Sequence, residues 1–273
     1  MLFLRGLDKM STEDFILDDL HWSFSSASSF ITCKYGFYLT YVQREKRIGN
    51  FFSEFGNFIH SVLEKYFKDE IGIWDLEDYY VAHYLDAIKE IVPRYPVGMG
   101  EMYYQSGLNF FQNFEFDKDK YDVVSIEDKI VAQYNNLDLI VKPDLVLKEK
   151  ATGQNILVDY KTAKLKKGKL RDKQLEDYAN QFYLYSYFLW TERKIEISKI
   201  LIWFIRDGEF IEIPMNPFKV TDTLEWFENT IKQTKIEEVW IPNRDKSNKY
   251  FCENLCGVRL GCKYQTGEEI YIP

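Results

Sequence analysis

Residues 155–164 read NILVDYKTAK. Ile156, Leu157 and Val158 have the apolar, β-rich character of a buried strand, and the run ends on Asp159 and Lys161, two charges one residue apart. Side chains alternate along a strand, so residues 159 and 161 leave from the same side. A core strand therefore delivers a carboxylate and an ammonium to one place.

Working outward, DVVSIEDKIVAQY (122–134) and LDLIVKPDLVL (137–147) flank Asn135-Asn136, a dipeptide that tolerates positive φ and fits a hairpin turn. A polar KEKATGQN connection leads to the strand ILVDY. Three sequential strands with short links predict an antiparallel meander, with Asp144 and Asp159 at the same end of neighbouring strands. Next come the basic run KTAKLKKGKLRDK (161–173) and a helix over 174–190. Two strands follow around Asp207-Gly208 (197–215), then a helix over 217–236. Toward the amino terminus, 23–42 reads as a loop entering a helix. In EFGNFIHSVLEKYF (54–67) Phe55, Ile59, Val62, Leu63 and Tyr66 recur at helical spacing, with His60 beside the stripe. Helices over 75–92 and 100–116 are separated by Pro93 and Pro96.

At 273 residues the chain suits one domain, 1–273, with a helical part (22–116), a core (122–236) and a cysteine-bearing end (250–264). Its 46% apolar, 17% aromatic and 29% charged residues exclude a disordered chain. The opening MLFLRGLDKMSTED lacks the run of a signal peptide and no apolar stretch reaches membrane-spanning length, so a cytoplasmic protein without a membrane partner is expected. A net charge of −8 argues against a simple basic glove for nucleic acid, although carboxylates reserved for a metal also count as negative.

Asp144 and Asp159 on adjacent strands suit a hard divalent cation such as Mg²⁺ or Mn²⁺. Beside them the Lys161 ammonium would orient water and offset charge building on phosphorus, which is the layout of phosphodiester hydrolysis. No GxxxxGK[ST] loop is present. A tripeptide DYK alone is commonly a solvated strand end; the joint pattern is more specific. Pro143-Asp144, then Asp159-x-Lys161, then Gln181-x-x-x-Tyr185 on the following helix resembles the PD-(D/E)XK nuclease superfamily, and within it the RecB-like branch.

That resemblance implies an α/β (α+β) fold with a restriction-endonuclease-like core, a central mixed sheet flanked by helices. It makes GNFIHSVLE (56–64) the branch's helix motif, so that His60, Asp144, Asp159 and the Tyr160 carbonyl hold the metal. It assigns catalysis to Asp144, Asp159 and Lys161, with Gln181 and Tyr185, one helical turn apart, holding the lysine and contacting substrate. Glu127, in the first strand, stands where relatives often carry an acid; it equally reads as an exposed strand charge and is left outside the main site.

Cys33 near one end and Cys252, Cys256 and Cys262 in CENLCGVRLGC near the other form a second signal. Four cysteines in a reducing compartment suggest a metal centre, and zinc and iron–sulfur clusters both use four thiolates. One distant cysteine plus a triplet resembles the [4Fe-4S] staple of AddB-type and CRISPR-associated RecB-like nucleases. Those families commonly place two residues between the first cysteines of the triplet; here Glu253, Asn254 and Leu255 make three, which keeps zinc open. The resemblance implies a structural cluster, a metal-dependent exonuclease acting on single-stranded DNA, and prokaryotic or viral partners in DNA repair, recombination or CRISPR adaptation. A catalytically weak DNA-binding scaffold is the alternative. On the nuclease reading, Lys164, Lys166, Lys167, Lys169, Arg171 and Lys173, directly after the DYK strand, would follow the DNA backbone into the site.

Overall fold

The computed structural model describes residues 16–94, 96–165, 170, 172–242 and 249–264. In chain order its helices are α1 (Phe24–Thr32), α2 (Lys34–Phe37), α3 (Phe51–Phe67), α4 (Leu76–Ala87), α5 (Met99–Gln112), α6 (Asp172–Arg193) and α7 (Pro217–Lys235). The strands are β1 (Tyr121–Ile126), β2 (Ile130–Tyr134), β3 (Leu137–Val141), β4 (Leu145–Glu149), β5 (Asn155–Lys161), β6 (Ile197–Phe204) and β7 (Glu209–Pro214). They form two compact units. Among the described residues, one lies within 16–48, 133–139 and 226–264, and the other within 49–132 and 140–225.

The larger unit holds a five-stranded mixed sheet in the order β1-β4-β5-β6-β7. β5 pairs antiparallel with β4 and parallel with β6. Parallel neighbours need a long crossover, which α6 supplies. β2 and β3 form a separate two-stranded sheet, with Asn135 and Asn136 at φ 48° and 63° in its turn.

The expected hairpin therefore exists, but each arm is broken in two. Glu127 adopts φ 49° between β1 and β2. Pro143, which cannot donate to a ladder, separates β3 from β4. β1 then pairs with β4 in the main sheet. The expectation of a loop at the start of 23–42 is also corrected. Ser23 and Ser26 close a capping box, so the serine-rich stretch is itself helix α1. The helix expected over 75–92 stops at Ala87, where Ile88 turns extended.

α3 begins at an Asn50–Ser53 capping box and buries Phe55, Phe58, Ile59, Val62, Leu63 and Tyr66. These pack in one core with Leu145, Leu147, Ile156, Val158 and Tyr160 of the sheet. Each such burial is worth about 1.5–3 kcal/mol, so α3 is firmly fixed to the sheet and its remaining face is placed accurately. α4 and α5 meet through Gly107: a Cβ there would lie 2.4 Å from the Tyr80 hydroxyl, so a larger residue forces the helices apart. No helix among the described residues is long and apolar enough to cross a membrane.

Candidate active site

The C-terminal ends of β5 and β6 open on the same edge of the sheet, the edge where open α/β sheets place their sites. Asp159 and Lys161 stand there on β5. Pairing of Leu145 with Val158 brings Asp144, one residue before β4, to the same end. α3 contributes His60. Its Nε2 lies 3.1 Å from the Tyr160 carbonyl oxygen. Its Nδ1 lies 3.5 Å from Asp144 Oδ2 and 3.6 Å from Glu127 Oε1. With the proton on Nε2, that nitrogen donates to Tyr160, and Nδ1 is left as the cation-facing donor atom, the usual arrangement of a metal-ligating histidine.

His60, Glu127 and Asp144 offer ligand atoms that all lie within 4.8 Å of one another, among the described residues. Glu127 is the residue that the sequence reading set aside. Its backbone turns at positive φ and its N–H donates to the Asp144 carbonyl at 2.9 Å, which swings the side chain into the group. Its other carboxylate oxygen pairs with Lys142. The available signal was an acid followed by Asp128 and Lys129 in an otherwise apolar strand run, the sort of interruption that marks a break.

The electrostatics are those of a buried excess of negative charge. Burial pushes the Asp144 carboxyl up to about 7, the Asp159 charge adds to this, and His60 and Lys161 oppose it. Its Oδ2 accepts the Tyr160 N–H at 2.8 Å. Burial works against the charge on Lys161, yet Asp159 and Asp144 outweigh it and hold the ammonium above its ordinary range. His60 is raised in the same way: burial lowers it, and Asp144, Glu127 and Asp159 prevail. For Glu127, burial is overcome by His60 and Lys142, and its carboxyl is held below the usual value.

Lys161 is fixed on all sides. Its Nζ lies 2.7 Å from Asp159 Oδ2, an oxygen that is buried and accepts no well-aligned hydrogen bond. On α6, Gln181 Oε1 accepts from the ammonium at 3.4 Å, and Gln181 Nε2 donates to the Tyr185 hydroxyl at 2.9 Å. The rings of Tyr178 and Phe182 lie 5.0 and 5.5 Å from Nζ. The structure thus brings together His60, Asp144, Asp159, Tyr160, Lys161, Gln181 and Tyr185, and adds Glu127. Lys164 and Lys173 are exposed, while Lys166, Lys167, Lys169 and Arg171 lie outside the described residues.

The smaller unit holds the four cysteines. Cys33 caps α2 and its sulfur accepts the Gly36 N–H at 3.3 Å. Cys252 lies in the π-helical turn Phe251–Leu255, Cys256 ends that turn, and Cys262 follows the 3₁₀ turn Arg259–Gly261. All four are free thiols lining one pocket with Phe251 and Val258. Burial pushes the Cys256 thiol up, and the other three add to the effect.

A mixed sheet that presents two carboxylates and a lysine at the end of a central strand, flanked by a histidine-bearing helix, is the nuclease layout. Residues 21–263 match the family described as the PD-(D/E)XK nuclease superfamily, and the chain belongs to it: this is a nuclease-superfamily protein. Among solved structures it is similar to a protein from Eubacterium rectale described as a "Putative exonuclease", at 13% identity and TM-score 0.54, covering 100% of this chain and 96% of that one. At that identity the likeness speaks for the fold. No curated protein sequence matches the chain.

Proposed function

We propose that the protein is a Mg²⁺- or Mn²⁺-dependent deoxyribonuclease that degrades single-stranded DNA from an end and carries a structural [4Fe-4S] cluster. The observation that carries the catalytic part is the convergence of His60, Glu127 and Asp144 within 4.8 Å. This set fits a hard divalent cation. Its donors are carboxylate oxygens and one imidazole, and the Asp144 carboxyl is pushed up to about 7 first by burial and then by the Asp159 charge, both of which a cation would relieve. His60 through Nδ1, Asp144, Asp159 and Glu127 would hold the ion; the Tyr160 carbonyl, which the sequence resemblance made a ligand, instead accepts from the far ring nitrogen Nε2 and orients the imidazole. When bound, it supplies Lewis-acid polarisation of a phosphoryl oxygen and a more acidic water.

The chain's own groups do the rest. Lys161, kept cationic by Asp159, orients the attacking water and balances charge developing on the phosphate. Gln181 holds the lysine in place, and Tyr185 holds Gln181. Hydrolysis in this sense leaves a 3′ hydroxyl and a 5′ phosphate, as the family resemblance implies. The family match runs through both compact units, which supports reading the chain as one nuclease domain. Four cysteines lining one pocket suit either a four-cysteine iron–sulfur cluster or zinc, and the resemblance favours the cluster.

The test uses anaerobically purified protein with Mn²⁺ or Mg²⁺ and single-stranded DNA labelled at each end, beside Lys161→Ala. Metal-dependent release of one label, absent in the variant, is the expected result. Equal inertness of both proteins on linear, circular and duplex DNA overturns the enzyme reading and leaves a DNA-binding scaffold. Iron with sulfide is expected on metal analysis; zinc in its place overturns the cluster.

A further inference from the structure

The edge of the sheet that carries the carboxylates also carries an arginine with no assigned task. Arg206 follows β6 in the turn to β7, and β6 ends in register with Lys161. The turn is tied to the site through backbone: the Ile205 N–H donates to the Lys161 carbonyl at 3.0 Å. Asp207, next in sequence, accepts the Leu165 N–H at 2.8 Å and so fixes the chain leaving β5. Arg206 therefore stands on a platform anchored to the catalytic strand.

Its own surroundings are unusual for a purely structural arginine. The guanidinium carbon lies 3.6 Å from the centre of the Tyr103 ring, and the buried Nε has no hydrogen-bond partner among the described residues. Arg206 makes no ion pair among the described residues, and the adjacent carboxylate of Asp207 serves Leu165 instead. An arginine held over a ring, with no carboxylate partner among the described residues, has a charge to offer an anion arriving from solution.

The ring beneath it belongs to an aromatic cluster. Tyr103 meets Phe51, Phe52 and Phe55 edge-on, with centroids 5.1, 5.5 and 5.0 Å away. Phe52, Gly56 and His60 are spaced four apart on α3 and share one face of the helix. At 1.5 Å per residue, Phe52 lies about 12 Å along that face from His60. Gly56 stands between them, and Thr162 Oγ1 of the chain leaving β5 lies 3.5 Å from where a Cβ would be. Phe52 is half-buried, which leaves part of its ring available. Cationic donors and aromatic faces in line with a catalytic centre are the elements by which proteins track a single strand.

We infer that Arg206 is a substrate-positioning residue: with Tyr103 and Phe52 it forms a subsite that takes one phosphate and one unpaired base of single-stranded DNA, next along the strand from the bond that is cut. The inference rests on the nuclease reading and specifies where its substrate lies.

The experiment compares wild type, Arg206→Gln and Arg206→Lys. Binding of a fluorescent single-stranded 12-mer is measured in EDTA over a range of salt, and cleavage of the same 12-mer is measured with Mn²⁺. For Arg206→Gln, Kd is expected to rise about tenfold or more, as for loss of a charge-assisted contact. The slope of log affinity against log salt should shrink by about 0.7, the share of one phosphate on a single strand. KM rises with kcat at saturation nearly unchanged. Arg206→Lys keeps the salt slope and loses the stacking and fork geometry, giving an intermediate Kd. Unchanged Kd and slope in Arg206→Gln overturn the subsite, as does equal loss in both variants with an unchanged slope, which is the mark of a packing role. Binding in chelator does not depend on hydrolysis, so a wild type that binds through Arg206 yet cuts nothing refutes the nuclease reading alone.

Discussion

The carboxylate site and the cysteine pocket are built by opposite means. The first sits on the ends of strands inside a sheet, its carboxylates almost fully buried, each charge answered by another: Asp159 by Lys161, Glu127 by Lys142, Asp144 by His60. The second is assembled from short π and 3₁₀ turns over a small apolar cluster of Tyr35, Leu39 and Val258, with all four cysteines partly exposed. A site on rigid elements is pre-organised before its ligand arrives. A pocket made of turns draws much of its order from what it binds. Removing a residue should therefore cost chemistry in one region and folding in the other.

The largest effect tests the first half of that contrast. Lys161→Ala is expected to lower kcat on single-stranded DNA by about 10³-fold, near 4 kcal/mol of transition-state stabilisation, measured in single-turnover assays. The matching change in the other region is Cys256→Ser. It should lower bound iron or zinc and drop Tm by about 10 °C, while kcat per folded molecule stays within a few-fold, read by calorimetry, metal analysis and active-site titration. A cysteine variant that lost activity without losing stability would break the comparison.

A third outcome concerns protons. Asp144 is raised to about 7 and His60 is also raised, so both must release protons before they hold a cation. Mn²⁺ affinity should fall by up to about tenfold per pH unit for each proton released, so up to about a hundredfold per unit once both groups are protonated, with buffer-dependent heats in titration calorimetry reporting the released protons. The smallest effect is on stability. A carboxyl raised from 3.8 to about 7 by folding stabilises the native state most below pH 4, and that contribution is lost as pH climbs through 7. Asp144→Asn should therefore raise Tm of the metal-free protein by a few degrees at pH 8 and leave it unchanged at pH 4.

Much of this layout was legible in sequence because it depends on local pattern. The period of 54–67 specified α3 and the face that carries His60. The apolar run before Asp159 specified β5, and the spacing of Gln181 and Tyr185 put both on one helical face. What escaped was set by pairing and backbone twist. Glu127 reads as an ordinary strand charge until the hairpin arm bends at that residue, where the chain passes from β1, which joins β4, to β2, which joins β3. Pro143 carried a signal that the reading of 137–147 as one strand passed over, since a proline cannot sit in a continuous ladder. Arg206 gave no signal at all, because its meaning lies in Tyr103, over a hundred residues earlier and on helix α5.

The peptide unit around Tyr160 carries one more lesson. Its N–H holds Asp144 and its carbonyl faces His60, so two ligands from different elements are aligned by main chain alone. These main-chain atoms survive every substitution but proline, which lacks the N–H. The middle letter of Asp159-x-Lys161 therefore keeps both hydrogen bonds whichever apolar side chain it carries, and only the edge-on packing of the Tyr160 ring on His60, with centroids 5.3 Å apart, depends on its identity. Inheritance can rewrite that position without rewriting the geometry on which the carboxylate and imidazole depend.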